Sequence, residues 1–278
     1  MTEAVLVTGA SSGIGEDAAR ALARRGFVVY AGVRNDADAA RVATLHENVR
    51  PVLLDVTDAT QIAAAAQVVR ERGVPLRALV NNAGVPVAGP LEYLPVEDLR
   101  RQFEINVVGQ LAVTQAMLPF LRATRGRLVF IGSASGRITA PFLGPYSASK
   151  FALRALTDAL RLELRTAGIA VSLIEPGSVK TPIWRKGRES RESLLTRLPA
   201  EAHERYGAAL EKLFAATMHE EQRAMPVETV TAAVVAAITS ANPRANAILG
   251  AAAKAGAVLA MLPIPLRDRA IRASVGLR

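Results

Sequence analysis

The sequence contains no cysteine, which excludes disulfides and thiolate metal sites. Its three histidines, His46, His203 and His219, are scattered without ligand spacing, so no metal site is expected. Aromatic residues are only 4% of the chain, yet 50% is hydrophobic and 21% charged, a balance that supports a large aliphatic core and excludes disorder as the main state. Long apolar runs are missing as well. The stretch Ala251 to Leu262 is broken by Lys254 and stopped by Pro263 and Pro265, too interrupted for a membrane span. The opening residues Met1 to Gly9 lack the basic and apolar regions of a signal peptide, so the expected compartment is the cytoplasm. No linker divides the 278 residues, and 1–278 reads as one domain.

The formal net charge of +9 would suit nucleic acid, an anionic membrane or an anionic ligand. Its densest stretch, Trp184 to Arg205, interleaves Arg185, Lys186, Arg188, Arg191, Arg197 and Arg205 with Glu189, Glu192, Glu201 and Glu204. That pattern is a solvated helical face, and no nucleic-acid partner is expected.

Lysine is scarce, five against 29 arginines, and one of the five stands four residues after Tyr146 at the head of the apolar-periodic run Phe151 to Leu160. A helix there puts Tyr146 and Lys150 on one face. A phenol titrates near ~10, and a neighbouring ammonium favours its phenolate, which draws the value toward the pH where proton transfer is efficient. Random placement would give only about 0.07 such Tyr-x-x-x-Lys matches. The competing reading is a solvated lysine beside a half-buried tyrosine. Ser133, which opens the stretch leading to Tyr146, could hold a substrate oxygen.

The remaining motifs fall at strand ends. Ala4 to Thr8 is a β-branched run followed by Gly9-Ala-Ser-Ser-Gly13-Ile-Gly15 and a helical pattern through Ala18, Ala19, Leu22 and Ala23. Strand, glycine turn and helix in that order can receive a pyrophosphate, because glycines allow close approach and the helix start supplies free N–H groups. A second strand, Phe27 to Val33, arrives at Arg34-Asn35 instead of the acid that would bond the ribose 2′-OH of NAD. Arg34 can pair with a 2′-phosphate, so NADP is expected, with NAD as the alternative. A third strand from Pro51 ends at Asp55, placed for an adenine edge or as a plain helix-start acid. Leu76 to Val80 leads into Asn81-Asn-Ala-Gly84, and Asn106 interrupts the helical run Leu99 to Leu121, either as a buried packing amide or as a kink that holds water. Arg127 to Gly132 delivers Ser133, and Ile169 to Gly177 forms a sixth strand and turn, with Val179 and Thr181 beyond. Alternating strands and helices specify an α/β, Rossmann-type doubly wound parallel sheet with helices on both faces and its ligand site at the strands' carboxyl ends.

Together these residues resemble the short-chain dehydrogenase/reductase family, over nearly the whole chain and weakening after about Thr181. The resemblance implies a catalytic tetrad of Asn106, Ser133, Tyr146 and Lys150. Tyr146 would be the acid or base, Ser133 would bond the substrate oxygen, Lys150 would bind the nicotinamide ribose and lower the Tyr146 pKa, and Asn106 would complete a water relay. It further implies a cofactor site of Gly9, Ser11, Ser12, Gly13, Ile14, Gly15, Arg34, Asp55, Val56, Asn82, Ala83 and Gly84, joined by Tyr146, Lys150, Pro176, Gly177, Val179 and Thr181. The implied activity is NADP(H)-dependent interconversion of a carbonyl and an alcohol by a homodimer or homotetramer, the alternative being a non-catalytic NADP-binding regulator of the same fold. Val-Tyr-Ala-Gly-Val-Arg34 and Ile-Glu-Pro-Gly-Ser-Val-Lys-Thr-Pro182 look like the steroid- and retinol-dehydrogenase-like branch, which implies a bulky lipophilic substrate. Residues 182–225 match the family's variable substrate loop, where Trp184, Leu194, Leu195, Leu198, Tyr206, Leu210, Leu213 and Phe214 could line a pocket or pack on the core. The tail, 252–278, ends in a basic amphipathic segment that could touch an anionic membrane, though packing as a lid or against a subunit is the simpler expectation.

Overall fold

A parallel pair of strands needs a crossover between them, and each helical stretch supplies one. The computed structural model describes residues 2–182, 184–185, 188 and 194–274, so Lys186, Glu189, Arg191 and Glu192 lie outside the described residues. Strands β1 (Ala4–Val7), β2 (Val28–Val33), β3 (Val49–Leu53), β4 (Leu76–Asn81), β5 (Arg127–Ile131), β6 (Ala170–Pro176) and β7 (Asn246–Leu249) form one sheet in the order β3-β2-β1-β4-β5-β6-β7. Every pairing is parallel. The chain reverses its direction of travel between β1 and β4, and that switch opens a crevice at their carboxyl ends.

Side chains alternate across the sheet, so Val5 and Val7 join one core layer and Ala4 and Leu6 the other. The first layer is capped by α1 (Gly13–Ala23) and, further along the chain, α8 (Val227–Thr239), with Leu22 and Val234 fully buried. The second is covered by α3 (Ala59–Arg72), α5 (Gly109–Thr124) and α6 (Gly144–Glu163), around Leu79, Phe130 and Leu153. Helix α2 (Asp36–Ala43) packs on β2 and β3 at one edge of the sheet, and α4 (Val96–Phe103) packs on α6. The third strand begins two residues earlier than the pattern suggests, because Val49 pairs with Val29, and Asp58 caps α3 by accepting from Thr60 and Gln61 N–H.

The substrate-loop segment folds on itself. Leu194, Leu198 and Leu210 of the stretch containing α7 (Ala200–Gln222) are buried in a third, smaller cluster, with the Tyr206 ring edge-on to Tyr93 and Phe142 at 6.1 and 5.8 Å. These residues therefore pack rather than line an open pocket. Arg205 and Tyr206 both donate to Glu92, each at 2.7 Å, and Arg197 pairs with Asp98 at 3.1 Å, so the interleaved charges fasten this segment to residues 92–98. The chain closes with α9 (Ala251–Leu259) and α10 (Ile264–Ser274). Among the described residues, no helix is long and apolar enough to cross a membrane.

Candidate active site

The glycine turn after β1 is built for close approach. Gly9 and Gly13 sit at φ of 62° and 57°, a region where a side chain is strained. A Cβ on Gly15 would stand 2.3 Å from the Gly9 carbonyl oxygen and 2.5 Å from Asn82 Nδ2. Asn82 holds the turn by donating to the carbonyls of Thr8 and Gly9 at 3.0 and 3.1 Å. The Thr8 hydroxyl accepts from Asn82 and Ala83 N–H at 2.9 and 3.0 Å, fixing the turn after β4 against the turn after β1. Ser12, at the N-cap of α1, makes no side-chain capping bond, so the first-turn amides face the turn uncapped. Ser11 and Ile14 complete the loop, and Thr181 closes over it, 3.1 Å from where a Gly13 Cβ would be. This cradle fits a dinucleotide pyrophosphate.

The adenosine end is shaped by Arg34 and Asp55, which line one cleft of about 490 Å³ together with Thr57, Arg100 and Arg101. Asp55 accepts from the Thr57 amide and hydroxyl at 2.9 and 2.7 Å, which sets its carboxylate at the strand end. Asn35 caps α2 by accepting from Asp38 N–H at 2.8 Å, and Arg41 lies 3.6 Å from the Asp38 carboxylate. Asp38, four residues after Arg34, thus has partners of its own. Val56 is buried beneath α5, whose Gly109 leaves room for the Val56 carbonyl. On the far side, Gly177 N–H bonds Leu249, Pro176 pairs in the sheet with Leu249, and the Val179 carbonyl takes the Trp184 indole N–H at 2.7 Å.

The catalytic candidates meet at the carboxyl end of β5. Ser133 leaves that strand in extended geometry and starts a short turn, Ala134–Gly136, its hydroxyl oxygen accepting from Ser135 N–H at 3.1 Å. Pro145 in the first turn of α6 starts the helix without needing an N–H partner, and Tyr146 and Lys150 follow one turn apart. The Lys150 ammonium lies 5.8 Å from the Tyr146 ring centre and donates to the Ile131 carbonyl at 2.8 Å. It is only 5% exposed, and burial pulls its pKa from 10.5 down to about 8. Burial raises the Tyr146 phenol, with the Ser133 hydroxyl acting in the lowering direction. In the protein without cofactor, burial outweighs the Ser133 hydroxyl at the phenol.

Asn106 sits in a π-helical turn, Glu104–Val108, between α4 and α5. It is fully buried, accepts from Val85 N–H at 2.9 Å, and donates to the Val85 carbonyl at 3.0 Å and to Ser149 Oγ at 3.1 Å. Ser149 in turn donates to the Tyr146 carbonyl at 2.7 Å. Asn106 is thus both the packing amide and the cause of an irregular turn. Its side chain reaches α6 through Ser149 rather than contacting Lys150 directly, and Gly84 lies against its amide oxygen.

Comparison with known proteins agrees with this geometry. A family model for short chain dehydrogenases matches residues 3–192. The chain belongs to the short chain dehydrogenase family. It is similar to an NADPH-dependent 3-dehydrocapnine reductase of Ornithobacterium rhinotracheale, 36% identical over 254 residues that cover 88% of this chain and 87% of the relative. It is also similar to 17-beta-hydroxysteroid dehydrogenase type 6 of Bos taurus, 37% identical over 279 residues, covering 95% and 86%. Among solved structures it resembles a short chain dehydrogenase of Burkholderia cenocepacia J2315 in complex with NADP. That match has a TM-score of 0.73 at 27% identity and covers 99% and 97% of the two chains.

Several residues of this short-chain dehydrogenase site carry no motif of their own. Gln102, Gln110 and Thr114 recur at a spacing of four with the expected Asn106, and they fasten the end of β4 and the segment after it: Gln102 to Val85 and Val87, Gln110 to Ala83 at 2.6 Å, Thr114 to Asn81 at 2.8 Å. A spacing of four drifts about 40° per step in a regular helix, and the π turn absorbs part of that drift. The recurring amides were the available signal. Arg137 and Glu175 form a second unflagged unit: Nε and Nη2 donate to the same carboxylate oxygen at 2.9 and 2.7 Å, and Glu175 is 1% exposed. A carboxylate inside an otherwise apolar strand was its signal. Arg41, which donates to the Ser11 carbonyl and pairs with Glu16 at 2.8 Å, ties α2 to the glycine turn.

Proposed function

We propose that this dehydrogenase interconverts a carbonyl and an alcohol with NADP(H), Tyr146 serving as acid in reduction and base in oxidation, on a bulky lipophilic substrate. The observation that carries the reading is the convergence of Ser133, Tyr146 and buried Lys150 on the strand edge that also holds the glycine cradle. Bound NADPH supplies the hydride. The chain's part is to hold the substrate carbonyl at the Ser133 and Tyr146 hydroxyls, deliver the phenolic proton as charge builds on that oxygen, and exclude water from the buried edge. Lys150 places a positive charge behind the phenol and steadies the phenolate left after proton transfer. Asn106 and Ser149 fix the first turn of α6, and so the phenol's position.

Preference for NADP(H) is supported by Arg34 at the end of β2, by the absence of an acid there, and by the NADPH-dependent relative and the NADP complex. A lipophilic substrate is supported by the steroid-dehydrogenase relative and by the apolar walls of a cleft of about 440 Å³ beside α6, where Leu91, Ile138, Phe142 and Phe151 are found. Exposed Val108, Phe151 and Leu162 on the helices of this side support a homo-oligomer. The test is Tyr146→Phe, assayed with NADPH and a panel of lipophilic ketones. The expected result is NADPH binding as in the wild type with turnover reduced at least about a hundredfold. Retained turnover would remove Tyr146 as the proton donor, and wild-type protein that binds NADPH but turns over no carbonyl would favour a regulator.

A further inference from the structure

From Met261 to Leu266 six consecutive residues are exposed, and none carries a charged or hydrogen-bonding side chain. Met261 is 83% exposed, Ile264 62%, Leu266 56% and Leu262 41%, with Val258 at 65% one turn earlier. The cause is local: α9 ends, Pro263 and Pro265 prevent a continuous helix, and the link to α10 is left standing outside both core layers. Contiguous apolar patches of this kind are uncommon on a surface that faces only water.

Around the patch stands a collar of cations. Lys254 precedes it and Arg267, Arg269 and Arg272 follow it, while the only carboxylate from residue 251 to residue 274 is Asp268, paired with Arg267 at 3.3 Å. Apolar tip and basic collar together have the composition of an interfacial membrane anchor: the apolar side chains enter the headgroup boundary and the cations meet lipid phosphates. Charge separates this occupant from a second copy of the chain. Across a two-fold axis the same patch would bring its cations against the partner's cations.

We propose that the surface formed by Val258, Met261, Leu262, Ile264 and Leu266, with Arg267, Arg269 and Arg272, docks on an anionic lipid bilayer. The surface adjoins the active-site side of the molecule. Gly256 of α9 packs over Ile138, and Arg267, Ile271 and Arg272 of α10 line the 440 Å³ cleft together with Phe142 and Gly144, at the start of the Tyr146 helix. Docking would bring that cleft to the layer where lipophilic molecules partition. The docking itself does not depend on the proposed reaction.

The experiment is sedimentation of the full chain with vesicles of phosphatidylcholine alone and of phosphatidylcholine mixed with phosphatidylglycerol, at low and high salt. Expected are sedimentation with the mixed vesicles, little with phosphatidylcholine alone, and release by salt. Combined Met261→Asp, Leu262→Asp and Ile264→Asp should lower the bound fraction at least about tenfold. Arg267→Gln, Arg269→Gln and Arg272→Gln should each weaken binding to the mixed vesicles about fivefold. Circular dichroism and NADPH binding should stay as in the wild type for both sets, because the substituted side chains are exposed or, for Arg267, half-exposed, and belong to neither core layer. Failure of the wild type to sediment, or unchanged binding of the triple Asp variant, overturns the proposal. So does light scattering that shows the triple Asp variant dissociating a lipid-free oligomer, which would assign the surface to a second copy.

Discussion

Lys150 should make the protein less stable at neutral pH than a lysine-free version of the same helix. Its ammonium is 5% exposed and meets a backbone carbonyl rather than a carboxylate, and its pKa falls from 10.5 to about 8. Because the folded value lies below the unfolded one, the folded state binds fewer protons between these two pH values, and stability rises with pH across that window. The cost of the buried charge is about 3 kcal/mol at pH 7 and falls to about 1.5 kcal/mol at pH 9.5. Lys150→Met keeps the length and apolar stem while removing the charge. The loss of the bond to the Ile131 carbonyl offsets about 1 kcal/mol of the gain. The variant should therefore exceed the wild type by about 2 kcal/mol in urea unfolding at pH 7, without cofactor, and approach it at pH 9.5. Turnover should be lost. A variant that is less stable at both pH values, or a difference that does not change with pH, would refute the assignment of a desolvated ammonium.

Three further outcomes follow from the geometry. Gly15→Ala puts a Cβ 2.3 Å from a backbone oxygen, so it should destabilise by about 1–3 kcal/mol and weaken NADPH binding more than tenfold, read by fluorescence titration. Arg34→Asp should weaken NADPH at least about tenfold and leave NADH binding unchanged, since a charge-assisted bond to a phosphate contributes about 1.5–3 kcal/mol. Glu175→Gln should destabilise by about 2–3 kcal/mol by leaving the Arg137 guanidinium without its carboxylate, whereas Arg137→Met with Glu175→Leu should unfold near the wild-type urea midpoint. A Glu175→Gln protein as stable as the wild type would show that the pair holds nothing.

What the sequence made visible was local. The glycine turn, the Asn81-Asn82 turn and the Tyr146–Lys150 pair each lie within one element junction, where a few adjacent residues decide backbone shape and side-chain direction. The Arg137–Glu175 contact spans 38 positions and depends on β6 lying beside β5, so no window along the chain contains it. Asn106 was visible as an anomaly in a helix, but the π turn that aims it requires the partners after β4, twenty-one residues away. The side chains of the patch at Met261 to Leu266 are as apolar as those of the core. Only its position beyond both core layers shows that water, rather than the sheet, faces it.

The buried polar groups at the sheet's carboxyl edge are arranged so that charge is left available only where a proton has to move. Glu175 would be the nearest anion in β6 to interfere: its side chain lies 3.2 Å from where a Cβ on Gly132 would be, one residue before Ser133. Arg137 takes it up with two hydrogen bonds to one oxygen. Lys150 donates to the Ile131 carbonyl, and burial brings its pKa down to about 8. Asn106, Gln102 and Gln110 meanwhile bond backbone groups at positions 83 to 85, so the rest of the polar wall is neutral. In the proposed reaction, Tyr146 and Lys150 are left as the pair whose protonation would respond when negative charge develops on an oxygen between Ser133 and the phenol.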